Sequence, residues 1–141
     1  MAKLRIRQTK DTNAVHTLDA QVFDYQKHHP VSTEGSTWWI VYDGEEPVAY
    51  AGADFLKEKN TVYLCRAGVL PEYRGMGLQK ELIKRRLKWA KEVCEVDVVV
   101  TYTDVDNVHS VNNLIKSGFL MYSPDFPWGS SDDALYWKRI F

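Results

Sequence analysis

The sequence predicts an α+β fold in which a mixed sheet is combined with helices. Strand-like and helix-like segments follow one another in the order β-α-(α)-β-β-β-α-β-α-β-β, without the strict alternation of a doubly wound fold. An Asp43-Gly44 pair between two apolar runs predicts a hairpin, and therefore antiparallel pairing. The chain has 141 residues and no repeat or low-complexity tract, so a single domain over residues 1–141 is expected.

The first third of the chain predicts a strand, a helix and a loop. In KLRIRQTK, apolar and basic residues alternate, which is the pattern of a half-buried strand. In DTNAVHTLDAQVF, apolar residues recur at helical spacing, and either Asp11 or Thr12 can serve as the N-cap. The next stretch, KHHPVSTEGS, is rich in proline, glycine and small polar residues. It is predicted to be a loop, with room for a short second helix.

The middle of the chain predicts the hairpin, a further strand and the longest helix. The hairpin occupies TWWIVYDGEEPVAYAGADFL, and the further strand occupies NTVYLCRAGVL. After Gly77, apolar residues trace one stripe of a helix. The residues of this stripe are Leu78, Leu82, Leu87, Ala90 and then either Val93 or Cys94.

The last third predicts two buried elements and two closing strands. VDVVVTY is a short continuous apolar run, as expected of a buried strand. NVHSVNNLIKSGF predicts a short helix that ends at Gly118. FLMYSPD and ALYWKRIF then predict two strands around a loop that contains proline and glycine.

Composition excludes several classes of protein. The net charge is −1, whereas a dedicated nucleic-acid binder is usually basic. No apolar run approaches the ~18 residues of a membrane-spanning helix, and the segment MAKLRIRQTK lacks the apolar core of a signal peptide. Cys65 and Cys94 belong to no CxxC pair or Cys/His cluster with zinc spacing, and free thiols suit a reducing cytosol. The sequence therefore predicts a cytoplasmic protein that uses no metal and binds neither nucleic acid nor membrane.

The segment LPEYRGMGLQKELIKRR, residues 70–86, contains two glycines where a strand gives way to a helix. Glycine permits positive φ, and the first N–H groups of a helix, together with its dipole, form an anion site. No acidic residue lies between Arg74 and Lys80. Neither the Walker A pattern nor the dinucleotide fingerprint is met. The amides of residues 75–80 could therefore hold phosphate; the alternative is an ordinary loop that enters a solvated helix.

The stretch AGVLPEYRGMGLQKELI resembles the central motif of the GCN5-related N-acetyltransferase (GNAT) superfamily. The family pattern Gln/Arg-x-x-Gly-x-Gly/Ala maps onto residues 74–79, with Gln79 at the position of the usual small residue. NVHSVNNLIKSGF reproduces a second family pattern, with Asn107 before the helix and Gly118-Phe119 after it. The resemblance covers essentially the whole chain. It implies a largely antiparallel, twisted sheet with helices on both faces.

The resemblance also implies a cofactor, acetyl-CoA, and a set of residues that hold it. Backbone groups of the strand end would line the pantetheine arm, and the Val69 amide would polarise the thioester carbonyl. The amides of residues 75–80 would hold the pyrophosphate. Asn107 would contact the CoA arm, cap its helix, or do both. The cofactor-binding residues implied are Ala67, Gly68, Val69, Arg74, Gly75, Met76, Gly77, Leu78, Gln79, Lys80 and Asn107.

The implied reaction is direct attack of a primary amine on the thioester in a ternary complex. A base must first take the proton of the ammonium ion, and an acid should protonate the leaving thiolate. The tyrosine that many family members use as the acid is replaced by Leu114, and a glutamate found in some members is replaced by Tyr102. Val69 and Tyr102 are therefore the catalytic candidates. The missing acid and base also favour an alternative, a non-catalytic acyl-CoA-binding module of the same fold.

Several further residues have both a chemical and a structural interpretation. Tyr122 is expected to be a sheet residue, Asp104 a turn residue and Cys65 a core thiol. The loops HHPVSTEG and DFPWGSSDD are predicted to flank the acceptor, by the resemblance, and to set its identity. The expected acceptor is an amine on a small molecule or a protein. The oligomeric state is open, with a homodimer as one candidate assembly.

Overall fold

The computed structural model describes residues 4–129 and 132–141. Seven strands form one sheet in the order β1-β2-β3-β4-β5-β7-β6. The pairs β1–β2, β2–β3, β5–β7 and β6–β7 are antiparallel, and β4–β5 is parallel. This mixed, largely antiparallel sheet confirms the predicted α+β class. The elements are β1 Leu4–Thr9, α1 Thr12–Val22, β2 Thr37–Asp43, β3 Glu46–Leu56, β4 Thr61–Val69, α2 Leu78–Glu92, β5 Val98–Asp104, α3 Val108–Lys116, β6 Leu120–Tyr122 and β7 Ala134–Ile140, with 3-10 turns at Lys57–Lys59 and Pro71–Tyr73.

The chain divides into two compact units. The first unit comprises the described residues up to Asp54 together with Cys65–Leu82, and the second comprises Phe55–Leu64 and Ile83–Phe141. Strand β4 and helix α2 each contribute residues to both units. That the chain is a single domain stays a prediction.

The core of the first unit forms where α1 packs on the hairpin strands. Helix α1 is capped by Asp11, whose carboxylate accepts from the N–H groups of Asn13 and Ala14. The hairpin loop is Gly44-Glu45, one residue later than the sequence suggested, and Gly44 has a φ of 61°. Positive φ at the first loop residue alone is the pattern of a type II′ turn, which matches strand twist. The buried cluster consists of Val15, Leu18, Val31, Trp38, Ile40 and Tyr50.

The predicted short second helix is not present in the described chain between α1 and β2. A single turn forms there instead, in which the Asp24 carboxylate accepts from the N–H of Gln26 at 2.9 Å. This side-chain bond competes with helical bonding, and Pro30 lacks the N–H that a continuing helix would need. The segment is therefore a loop.

Strand β5 is buried on one face more than on the other. Val99, Thr101 and Thr103 are buried, whereas the intervening residues Val98, Val100 and Tyr102 are half-buried. The sequence predicted a strand buried throughout. The two buried threonine hydroxyls are tolerated because both are hydrogen-bonded. Thr101 donates to the Leu64 carbonyl at 2.8 Å, and Thr103 accepts from the Trp137 indole at 3.0 Å.

The predicted apolar stripe of α2 is buried at Leu78, Leu82 and Ala90, whereas Leu87 is half-buried and Ile83, outside the predicted stripe, is buried. Cys94 is buried, and Val93 is 68% exposed. Burial raises the pKa of the Cys94 thiol, which keeps it in the unreactive thiol form. Of the three consecutive basic residues on this helix, Lys84 and Arg85 are exposed, whereas Arg86 is only 3% exposed. In the part of the chain that the structure describes, no helix is both long and apolar enough to span a membrane.

Candidate active site

The glycine loop between β4 and α2 has the backbone conformation that its sequence predicted. Gly75 has a φ of 80° and Gly77 a φ of 77°. A Cβ atom added at either position would meet no atom within 4 Å. Glycine is therefore favoured at both positions by the positive φ, and not because a side chain would clash with neighbouring atoms of the protein. The space beside both residues is open to a ligand.

Helix α2 begins directly after this loop. The Glu81 N–H donates to the Gly77 carbonyl at 3.1 Å, which is the helix's opening bond. Lys80 is exposed, whereas Leu78 is buried and offers a ligand only its backbone. Gln79, which stands at the family's small-residue position, is half-buried. The positive end of a helix dipole therefore lies beside the open glycines, as an anion site requires.

Two side chains fix the loop to its surroundings in the first unit. The Arg74 side chain donates through Nε to the Val69 carbonyl at 3.2 Å. The Tyr73 hydroxyl donates to the Asp43 carboxylate at 2.5 Å. This bond raises the pKa of Tyr73, because ionisation would place two negative charges together. The turn that delivers the glycines is thus attached to the end of β4 and to the hairpin.

The end of β4 presents the three residues predicted to line a pantetheine arm. Ala67 and Val69 are half-buried, and Gly68 is buried. A Cβ atom on Gly68 would lie 2.7 Å from the Tyr50 ring and 3.0 Å from Val22. Glycine is therefore required at this position because the Tyr50 ring approaches the backbone closely.

Asp19, which the sequence reading missed, is the centre of a buried polar network in the first unit. Its carboxylate is 0% exposed. It accepts from the Tyr50 hydroxyl at 2.5 Å, the Tyr25 hydroxyl at 2.6 Å and the Val31 N–H at 3.0 Å. Arg66 Nη1 lies 3.2 Å from both carboxylate oxygens. A buried charge that receives this many donors is stably accommodated.

The network fixes the loop after α1. Arg66 also donates to the His29 carbonyl at 2.7 Å, and its guanidinium lies 4.6 Å from the Phe23 ring centroid. With the bond from Val31, two residues of the predicted acceptor loop 28–35 are thereby held against α1 and β4. Asp19 thus links β3, β4 and this loop through its own side chain.

The ionisation of the network follows from these contacts. Burial alone would raise the pKa of Asp19, but the hydrogen bonds from Tyr25, Tyr50 and Val31, together with the Arg66 charge, outweigh burial and lower it. Burial and the bond to Asp19 raise the pKa of Tyr50 well above its usual value. Asp19 is therefore an anion at neutral pH, and Tyr50 is a neutral donor.

Asn107 and Tyr102, the remaining predicted site residues, lie in the second unit. Asn107 caps α3, because its Oδ1 accepts from the Ser110 N–H at 3.3 Å. The capping interpretation is thus confirmed, and the contact with CoA stays a prediction. Tyr102 is half-buried on β5 among other aromatic rings, with Trp128 and Tyr63 centred 5.4 Å and 6.3 Å from it.

The weaker candidates take structural roles, although Asp104, which was expected in a turn, is the last residue of β5 and pairs with Ala134. Leu114 is 4% exposed and belongs to the core side of α3. Tyr122 is a sheet residue on β6, and Asp104 ends β5 in an exposed position. Cys65 is half-buried on β4 and packs against the buried cluster of the first unit. In the predicted acceptor loop DFPWGSSDD, residues 130–131 lie outside the described chain.

Comparisons with known proteins match this chain to one family. The family model "Acetyltransferase (GNAT) family" matches residues 4–119. N-acetyltransferase 8B of Rattus norvegicus is 29% identical over 127 residues, which cover 87% of this chain and 54% of that protein. The chain therefore spans about half the length of this relative.

Two solved structures show the same fold at low sequence identity. The ribosomal-protein-S18-alanine N-acetyltransferase of Escherichia coli superposes with a TM-score of 0.76 at 14% identity, covering 96% of this chain and 92% of that one. The spermidine/spermine N-acetyltransferase of Vibrio cholerae gives a TM-score of 0.70 at 16% identity, covering 98% and 92%. The family match spans most of the chain. The chain belongs to the GNAT family of acetyltransferases.

Proposed function

We propose that this protein is an acetyl-CoA-dependent N-acetyltransferase that transfers an acetyl group to a primary amine by direct attack in a ternary complex. The observation that carries the proposal is the pair of positive-φ glycines, with open space beside both, at the N-terminus of α2. Family membership supports acetyl transfer. Acetyl-CoA supplies the acetyl group as a thioester.

The residues of the first unit would bind the donor. Amides of residues 75–80 would hold the pyrophosphate with the aid of the helix dipole. Backbone groups of Ala67, Gly68 and Val69 would pair with the pantetheine arm as an added strand does. The Val69 N–H would donate to the thioester oxygen as charge develops on it, which is the role of an oxyanion-hole donor.

Proton transfer would fall to water and to Tyr102. An alkylamine with a pKa of about 10 is protonated at neutral pH, so it must lose a proton before it attacks. Tyr102 stands where some family members carry a glutamate, and strand β4 carries no carboxylate, so we assign this proton to water. Tyr102 would protonate the leaving thiolate through its hydroxyl, and Asn107 would contact the CoA arm as well as cap α3.

The acceptor is proposed at the level of a primary amine on a small molecule or a protein. The two structural neighbours named above are described by very different acceptors, a ribosomal-protein alanine and spermidine or spermine. Since both share this fold at low identity, the fold alone does not select the acceptor.

The test of the proposed function is steady-state release of free thiol from acetyl-CoA in the presence of a panel of primary amines. Amine-dependent release, with one N-acetylated amine formed for each thiol, is expected. A chain that binds CoA by calorimetry but releases no thiol with any amine would instead be the acyl-CoA-binding module, which the absence of the usual tyrosine acid at Leu114 favours.

Replacing Tyr102 by phenylalanine should lower kcat by about 100-fold, a typical contribution of one general acid. The ring and its packing are kept, so the KM for acetyl-CoA should change little. Tyr42→Phe, on a half-buried tyrosine of β2, is the matched control. A Tyr102→Phe enzyme with wild-type kcat would remove Tyr102 from the chemistry.

A further inference from the structure

Four tyrosines lie side by side on the more open face of the second unit's strands. Tyr102 on β5 is opposite Tyr136 on β7, which is opposite Tyr122 on β6. Tyr63 on β4 is opposite Val100, two residues before Tyr102, and residues two apart share a face. We call Tyr63, Tyr102, Tyr122 and Tyr136 the tyrosine row. It crosses four neighbouring strands.

Trp128 stands on this row. Its ring is centred 5.4 Å from both Tyr63 and Tyr102 and is inclined at 84° and 85° to them, while those two rings are parallel within 4°. The three rings therefore form a right-angled corner. Trp128 is 37% exposed, so the corner reaches solvent.

Gly129 fixes Trp128 in place. Its N–H donates to the Tyr136 hydroxyl at 2.9 Å. A Cβ atom on Gly129 would lie only 3.0 Å from the Tyr102 ring. The loop thus approaches the row closely and presents a preformed corner, which reduces the ordering cost of binding.

The charges on this face suit one positive charge and not several. The Lys138 ammonium lies 5.1 Å from the Tyr122 ring centroid, so these rings already hold one cation of the chain itself. Asp104 is exposed and shares the face of Tyr102, two residues further along β5. Strand β7 also carries Arg139, but this residue alternates to the opposite face. On the described strands, the face of the row therefore carries one acid, Asp104, and one base, Lys138, and has no surplus of negative charge for a polyamine.

The geometry points to the acceptor of the proposed reaction: we propose that the corner of Tyr63, Tyr102 and Trp128 binds a primary amine that carries one positive charge and a flat aromatic ring. The ring would pack edge-to-face against the corner, and the ammonium would lie beside ring faces and Asp104. This inference rests on the proposed function and narrows its acceptor class.

The test compares three amines as acceptors: 2-phenylethylamine, its saturated analogue 2-cyclohexylethylamine, and spermidine. Phenylethylamine should have the highest kcat/KM, about 3- to 10-fold above the saturated analogue, which is the range of one or two aromatic contacts. Trp128→Leu should remove that preference, and Trp128→Phe should keep most of it. Phe55→Leu, at 39% exposure in the same unit but outside the corner, is the matched control.

The outcomes separate this inference from the proposed function. The acceptor class would be overturned if kcat/KM for the saturated amine or for spermidine equalled or exceeded that for phenylethylamine. It would also be overturned if a folded Trp128→Leu enzyme kept the wild-type preference for phenylethylamine over the saturated amine. Acetyl transfer to an amine would stand in both cases. If no amine is turned over, the proposed function fails. Calorimetric titration of the same amines then tests the inference. It requires the wild-type protein to bind phenylethylamine more tightly than the saturated analogue, and Trp128→Leu to bind the two amines equally.

Discussion

Gly77→Glu is expected to abolish binding of coenzyme A while leaving the protein folded. The new side chain would enter the open space beside the loop and place a negative charge where pyrophosphate is proposed to lie. At an effective dielectric constant of about 20, a like charge about 4 Å away costs about 4 kcal/mol, so affinity should fall at least about 100-fold. Isothermal titration calorimetry with CoA measures the change.

Two variants isolate the cause of that loss. Gly35→Glu introduces the same residue at the same φ of 77°, also with nothing within 4 Å, and should bind CoA normally. Each variant should lose a similar ~1–2 kcal/mol of stability from the left-handed conformation. Gly77→Gln keeps the size without the charge and should be intermediate. Wild-type affinity in Gly77→Glu would exclude the phosphate role of this loop.

Asp19→Ala is expected to destabilise the first unit strongly. It leaves the buried Tyr50 hydroxyl and Val31 N–H without their acceptor and removes the counter-charge of Arg66. Although the Arg66 side chain is 25% exposed, leaving the buried donors unsatisfied and the ion pair broken together costs about 3 kcal/mol, which corresponds to a fall in Tm of roughly 10 °C in a chain of this size. Differential scanning calorimetry checks this. Asp24→Ala, on an exposed carboxylate just after α1, should change Tm little.

The same network predicts the direction of the pH dependence of stability. Because folding lowers the pKa of Asp19, its contribution is complete above the pKa of an unfolded aspartate, about 3.9, and is lost as the pH falls through the lower folded-state value. Denaturant unfolding measures the free energy of unfolding of wild type and Asp19→Asn at pH 7 and at pH 3. The difference in this free energy between the two proteins should be smaller at pH 3. A difference that grows on acidification would contradict the assignment of Asp19 as a buried anion.

The donor loop could be predicted from the sequence because its determinants are local. Positive φ at Gly75 and Gly77, and a helix starting at Leu78, depend on residues within a few positions of one another. The N-cap role of Asn107 is local for the same reason. The fold class could be predicted from the order of the elements. Strands and helices that do not strictly alternate exclude a doubly wound fold, and short connections restrict the possible orders of strands in the sheet.

The residues that sequence reading missed depend on contacts between distant segments. Asp19 meets Tyr50, which is 31 positions away, and Arg66, which is 47 away. The one available signal was an acidic residue beside the apolar stripe of α1. The corner of Tyr63, Tyr102 and Trp128 likewise requires strand register and a loop conformation that no local pattern specifies. Those long-range contacts are also where the proposed acceptor specificity lies.

The most direct test of the central claim is an initial-rate study in which acetyl-CoA and one accepted amine are varied together and the N-acetylated product is identified by mass. Direct attack in a ternary complex predicts saturation in both substrates and double-reciprocal lines that intersect. Parallel lines would show that the acetyl group passes first to the protein. Either that pattern, or thiol release that does not depend on the amine, would contradict the proposed reaction.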